Sequence, residues 1–160
     1  MTHRLTLMRH GQAQTEGPNG DAARTLEEWG VREVLASALR LVALKFSPPL
    51  ILTSSAIRAS QTAHNLCMQW VDCKVKTESR LYLATPKILL EVIAEQHSIK
   101  QHLLIVGHNP GLSELAKQLS EPSSATSQNF KVLNTAEWYT AEFEILSWYE
   151  LFARTKAQQI

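Results

Sequence analysis

The sequence has only two cysteines, Cys67 and Cys73, in 160 residues. Two thiols cannot build the disulfide framework of a small secreted scaffold, and their spacing fits neither a redox nor a zinc signature. They read as reduced thiols, which predicts a cytoplasmic protein. An excess of one charge is also missing: 16 Lys and Arg stand against 15 Asp and Glu, a formal net charge of +1. A dedicated nucleic-acid surface normally shows as a strong basic excess, so no nucleic-acid partner is expected. Long apolar runs are absent. The opening residues MTHRLTLMRH hold no signal-peptide core and no stretch approaches a membrane span, so no membrane association is expected. His3, His64, His97 and His102 show no metal-ligand spacing, and no metal site is expected. Without repeats or a linker, residues 1–160 read as one domain.

What is present suits a buried core, with 44% hydrophobic and 19% charged residues. Short β-like runs alternate with helical ones. HRLTLM (3–8) reads as a strand. Leu26, Trp29, Val34, Leu35, Leu39 and Val42 mark an amphipathic helix over 26–45. Pro48-Pro49 stops it, and 49–53 is a second strand. A helix over 56–70, a weak strand over 74–77, a helix over 86–97, the strand HLLIVG (102–107) and a helix over 112–119 follow. Residues 120–129 carry no periodicity and read as a loop. Segments 130–134 and 136–152 read as closing strands, with a turn near 146–148. The alternation predicts an α/β fold, a three-layer α/β/α sandwich with a mostly parallel sheet. The four tryptophans read as packing residues.

In such folds ligands sit beyond the carboxyl ends of the strands. Three predicted strand ends carry polar residues of related character: Arg9-His10-Gly11, then SSAIRASQT (54–62), then VGHNPG (106–111). Arg9 and Arg58 offer planar guanidinium donors that match a tetrahedral oxyanion. The helix starts after Ser55 and Asn109 add positive potential, and Asn109-Pro110 reads as an N-cap and first helical residue. The site wants an anion with several oxygens, for which phosphate is the natural candidate. Pure binding needs no histidine. An imidazole beside two arginines is pushed toward its neutral, nucleophilic form, so His10 reads as the group that attacks phosphorus, and His108 joins it. Gly11 would let backbone approach the phosphate. Taken singly, each residue has a plainer explanation: a chance Arg-His-Gly, a core histidine at 108, a solvated arginine at 58. Their joint placement at three strand ends carries the functional reading.

These residues resemble the histidine phosphatase superfamily, and within it the small SixA-type phosphohistidine phosphatases. The matching motifs are LMRHG (7–11), TSSAIRASQTA (53–63) and LLIVGHNPGLSELA (103–116), with DAARTLEEWGVREV (21–34) similar to the start of the family's first helix. Together they cover most of residues 3–119. The resemblance implies a phosphoglycerate-mutase-like fold and no cofactor. It implies His10 as the phosphorylated nucleophile, Arg9, Arg58 and His108 as the phosphate pocket, and Gly11 in the same loop. It implies a phosphorylated protein as partner, of which a histidine-phosphotransfer domain is one form. Larger members carry a carboxylate general acid; here the corresponding region, 77–87, holds Glu78 as its single carboxylate. The chain is also too short for the capping insertions that enclose small substrates. A broader small-molecule phosphomonoesterase or mutase-like enzyme, and a non-enzymatic phosphate- or phosphoprotein-binding module, remain as alternatives.

Overall fold

The computed structural model describes residues 1–120 and 131–157. Two strands, β1 (Thr2–Arg9) and β4 (His102–Gly107), lie side by side inside a five-stranded sheet, and every residue of β4 is buried. A strand covered on both faces reads as a continuous apolar run, as HLLIVG does. Leu5, Leu7, Leu52, Leu103 and Ile105 pack with α3 (Pro86–Ala94), α4 (Gly111–Ser120) and α5 (Trp148–Ala157). Met8, Ile51, Leu104 and Val106 pack with α1 (Glu28–Ala43) and α2 (Ile57–Cys67). The three layers expected from the sequence are present.

The expectation of a mostly parallel sheet needs correction, because the sheet is mixed. With β2 (Leu50–Thr53), β3 (Lys74–Thr77) and β5 (Trp138–Glu144), the strand order is β3-β2-β4-β1-β5. The first four strands are parallel, while β5 runs antiparallel to β1 from Thr2↔Glu144 to Met8↔Trp138. The cause is the path of residues 131–137. They cross the carboxyl ends of the strands, where the Ala136 amide donates to the His10 carbonyl at 3.1 Å and the Arg9 amide donates to Glu137 at 3.1 Å. A chain entering β5 from that end can only run back along β1.

Two further expectations fail at the C-terminal quarter. The segment read as strand through 152 ends at Glu144, and Trp148–Ala157 is helical. Trp148, Leu151 and Thr155 recur at helical spacing and are buried, with the Trp148 indole donating to Lys100. Residues 131–134 form no strand, residue 130 lies outside the described residues, and so does nearly all of the loop expected at 120–129. On α1 the buried face is Gly30, Val34, Ser37, Ala38 and Leu41, so Trp29 and Leu39, read as core, are exposed.

Close backbone approach explains two glycines. A Cβ on Gly30 would lie 2.0 Å from the Gln12 carbonyl, and one on Gly111 would lie 1.9 Å from that of Ala84. Both pin loops at the carboxyl end of the sheet, where the motifs gather.

Candidate active site

His10 follows β1 and is almost wholly buried, and its amide donates to the Gly107 carbonyl at 3.2 Å. Its Nδ1 lies 2.7 Å from the Gly11 carbonyl. A carbonyl can only accept, so Nδ1 carries the proton and Nε2 keeps its lone pair. Nε2 accepts from Arg58 Nε at 3.2 Å. One bond fixes the tautomer and the other points the lone pair at a cation. Burial, opposed by the Gly11 bond and aided by Arg58 and Arg9, pulls the His10 pKa down to about 4.

Arg58 enters from the first turn of α2 and is buried, with its amide donating to the Arg24 carbonyl at 3.1 Å. His108 follows β4. Its Nε2 is 2.7 Å from Ser54 Oγ, and its Nδ1 is 3.4 Å from Arg58 Nη2. Because the guanidinium only donates, Nδ1 is the acceptor and Nε2 the donor to Ser54. The two imidazole centroids are 5.2 Å apart. Burial first, then the charges of His10 and Arg58, lowers the His108 pKa to about 3. Arg9 donates through Nη1 to the Leu133 carbonyl at 3.2 Å, while its buried Nε has no hydrogen-bond partner among the described residues. That N–H is a donor an anion or a water can meet.

So Arg58, His10 and His108 are in contact, and Arg9, the last residue of β1, immediately precedes His10. Gly11 has a different local reason from the one expected. Its amide donates to Thr62 Oγ1 at 3.1 Å, and a Cβ there would sit 2.7 Å from Val34 and 2.8 Å from the Gly30 carbonyl. It is a glycine because α1 passes so close. Asn109 uses its side chain across the loop, donating to Leu133 and accepting from Ser113 at 2.7 Å each. Glu78 is engaged elsewhere: both carboxylate oxygens accept from Arg80, whose bonds hold its pKa below the usual value.

The sequence reading missed three side chains of the site. Asp21 accepts from Arg58 Nη2 at 2.9 Å, Arg24 Nη1 at 3.0 Å and the Tyr82 hydroxyl at 2.6 Å. Those bonds, Tyr82's first, hold its carboxylate far below the ordinary range. Tyr82 also meets the His108 ring edge-on at 5.5 Å. Ser54 is the third. The available signals were a Gly-Asp turn ahead of an arginine, and the single tyrosine of residues 77–87. Among the described residues no group of three His, Cys, Asp or Glu side chains could hold a metal ion, and no helix is long and apolar enough to cross a membrane.

No protein-family model matches the chain. It is 33% identical over 116 residues to the uncharacterized proteins MT1313 and Rv1276c of Mycobacterium tuberculosis, covering 72% of each partner. Among solved structures, one named as a candidate phosphohistidine phosphatase SixA from Nakamurella multipartitia superposes with a TM-score of 0.82 at 22% identity, over 95% of this chain and 90% of that one. A second such SixA, from Agrobacterium tumefaciens, shares 28% identity with a TM-score of 0.68, over 76% and 79%. The chain belongs to the histidine phosphatase superfamily. Within the superfamily, a protein histidine phosphatase SixA complexed with tungstate also shares the fold, with a TM-score of 0.71 at 20% identity over 86% of both chains.

The buried pair of imidazoles makes a direct prediction. The His10 and His108 imidazole resonances are expected to titrate near 4 and 3 in NMR spectra, far from the free value of about 6.5. The unfolded chain binds protons that these neutral rings refuse. Stability is therefore fully present above pH ~6.5 and falls as the pH drops toward 4, by about 1.4 kcal/mol per unit for each histidine. Urea midpoints at pH 7 and pH 4.5 check the direction. Midpoints near 6.5 in the NMR titration would refute it.

Proposed function

We propose that this protein is a phosphatase that needs no metal, works through a phosphohistidine on His10, and acts on phosphohistidine carried by another protein. A histidine-phosphotransfer domain is one form of that partner. The observation that carries the reading is the presentation of His10 Nε2: a neutral, tautomer-fixed lone pair, buried and facing Arg58. A group that only bound phosphate would have no use for it.

The chemistry follows from the donors. Arg9 and Arg58 hold the phosphoryl oxygens, with His108 lining the pocket beside Arg58, while His10 Nε2 forms a bond to phosphorus and the bond to the leaving group breaks. Water then attacks phosphorus, releases inorganic phosphate and returns the lone pair to His10. An imidazole leaving group takes its proton from solvent, since its own pKa is near neutrality. A sugar or serine alkoxide would need a positioned acid. Glu78 is tied to Arg80 and Asp21 is ionised, which favours phosphohistidine over the broader phosphomonoesterase and mutase-like readings.

The test uses a phosphotransfer domain labelled on its histidine, mixed with the protein in EDTA. Release of inorganic phosphate at catalytic ratios is expected. Release only from sugar phosphates would move the reading to the phosphomonoesterase, and tight phosphate binding without any turnover would move it to the binding module. Loss of activity in EDTA with rescue by a divalent metal would overturn the metal-free chemistry.

A further inference from the structure

We propose that Asp21 determines specificity by acting as an internal anion, which the substrate's phosphoryl group must exchange for itself on Arg58. This inference rests on the phosphoryl-binding role of Arg58 proposed above. A guanidinium has five N–H donors. On Arg58, Nε donates to His10, Nη1 donates to the Asp21 carbonyl at 2.7 Å, and Nη2 donates to Asp21 Oδ2 and points at His108. That leaves one. A bidentate clamp on a phosphoryl group takes two parallel N–H groups, so it cannot form while Asp21 keeps its place.

Asp21 is itself held as a phosphoryl group would be. Its two carboxylate oxygens receive two guanidinium groups and a phenol. The backbone of its turn is held separately, with the Arg24 amide on the Asp21 carbonyl at 3.2 Å and the Ala23 amide on the Gly20 carbonyl at 3.1 Å, so the side chain alone can swing away. The short 3-10 segment Asp21–Ala23 has no buried residue, and Asp21 is 45% exposed. Gly20 before it has φ +93°, a conformation open to glycine, and nothing lies within 4 Å of where a Cβ would stand. Withdrawing the side chain breaks charge-assisted hydrogen bonds and no core packing.

Exchange then becomes a filter on charge. A dianionic phosphoryl group with three free oxygens offers Arg58 and Arg24 more than a carboxylate does, so it wins. A singly charged phosphodiester, alkyl sulfate or carboxylate offers no more than Asp21 already gives, so it loses. The site selects terminal phosphoryl groups without any wall around them.

The experiment is calorimetric titration of the whole chain with tungstate, a dianion that is not turned over, and with methyl sulfate, a monoanion. In Asp21→Asn, tungstate should bind about tenfold tighter, the size of one charge-assisted hydrogen bond no longer broken, and methyl sulfate should become measurable. Tyr82→Phe, which loosens the hold on Asp21, should shift tungstate binding the same way by a smaller factor. If Asp21 merely braced Arg58, both substitutions would weaken tungstate binding. Weaker or unchanged binding in Asp21→Asn overturns the exchange. Arg58→Ala separates the two readings: if it leaves tungstate binding intact, the phosphoryl site itself is misplaced. If it abolishes binding while Asp21→Asn changes nothing, only the exchange fails.

Discussion

His10→Ala is expected to lower kcat/KM for a phosphohistidine protein by at least ~10⁴-fold, the scale on which losing a covalent nucleophile is felt. The other members of the constellation cannot substitute for it. His108 is tied to Ser54 through Nε2 at 2.7 Å and would have to leave that bond to reach the position of the His10 ring. The variant should still fold, because His10 lies past the end of β1 and its backbone bonds to Gly107 and Ala136 do not depend on its side chain. Far-UV circular dichroism and the urea midpoint check that. Rapid quenching in denaturing detergent at neutral to mildly alkaline pH, after mixing wild type with labelled substrate, should trap acid-labile, base-stable phosphate on His10. Label on serine, cysteine or aspartate would sink the assignment, and so would an alanine variant that keeps its rate.

The other large effect is on substrate choice. Rates should fall by ~10²–10⁴-fold from phosphohistidine and nitrophenyl phosphate to glycerol phosphate and sugar phosphates, the usual worth of a general acid. Two observations lie behind this. Glu78 has both oxygens on Arg80, and that arginine also bonds Glu95, so the pair belongs to a surface ion network. Asp21 stands beside Arg58 but is held ionised by Tyr82, Arg24 and Arg58, so it has no proton to give. Tyr82 is no replacement: its bond to Asp21 raises the phenol pKa and makes it a weaker acid. The measurement is kcat/KM across a leaving-group series for wild type and Glu78→Gln. The variant should match wild type within about twofold, as an exposed ion pair contributes little. A flat series, or a large loss in Glu78→Gln, would establish an acid and reinstate the phosphomonoesterase.

Much of this was legible in one dimension because the site is made at strand ends. A buried strand announces itself as an apolar run, and the polar residue that breaks the run has a known address in an α/β fold. Arg9-His10 and His108 were readable in that way, and Arg58 through the α2 start. Asp21 and Tyr82 were not, since they lie in aperiodic segments whose position is set by tertiary bonds alone. Gly11 and Gly30 illustrate the same limit: Gly11 is explained by α1 passing close and Gly30, within α1, by the Gln12 loop, neither of which the local sequence can describe. The helix over Trp148–Ala157 was hidden by composition. Its aromatic residues carry high strand propensity, and burial of Trp148 against the sheet overrides it. The antiparallel β5 was hidden by topology, because the direction of an edge strand depends on where the preceding chain crosses.

That crossing segment has a consequence in time. Arg9 reaches across 124 positions to the Leu133 carbonyl, the Leu133 carbonyl also receives Asn109, and the His10 carbonyl is bonded by Ala136. Gly107 and Thr62 hold the His10 and Gly11 amides, but the Arg9 amide and the His10 carbonyl find their partners only in residues 136 and 137. During synthesis, β1, β2 and β4 can pair as soon as residue 107 has left the ribosome, but the bonds to Arg9 and the His10 carbonyl are completed only when residues 133–137 have followed. Nascent chains should be inert toward phosphoryl groups, and catalytic competence should arrive late and abruptly, as a report that the last strand has docked.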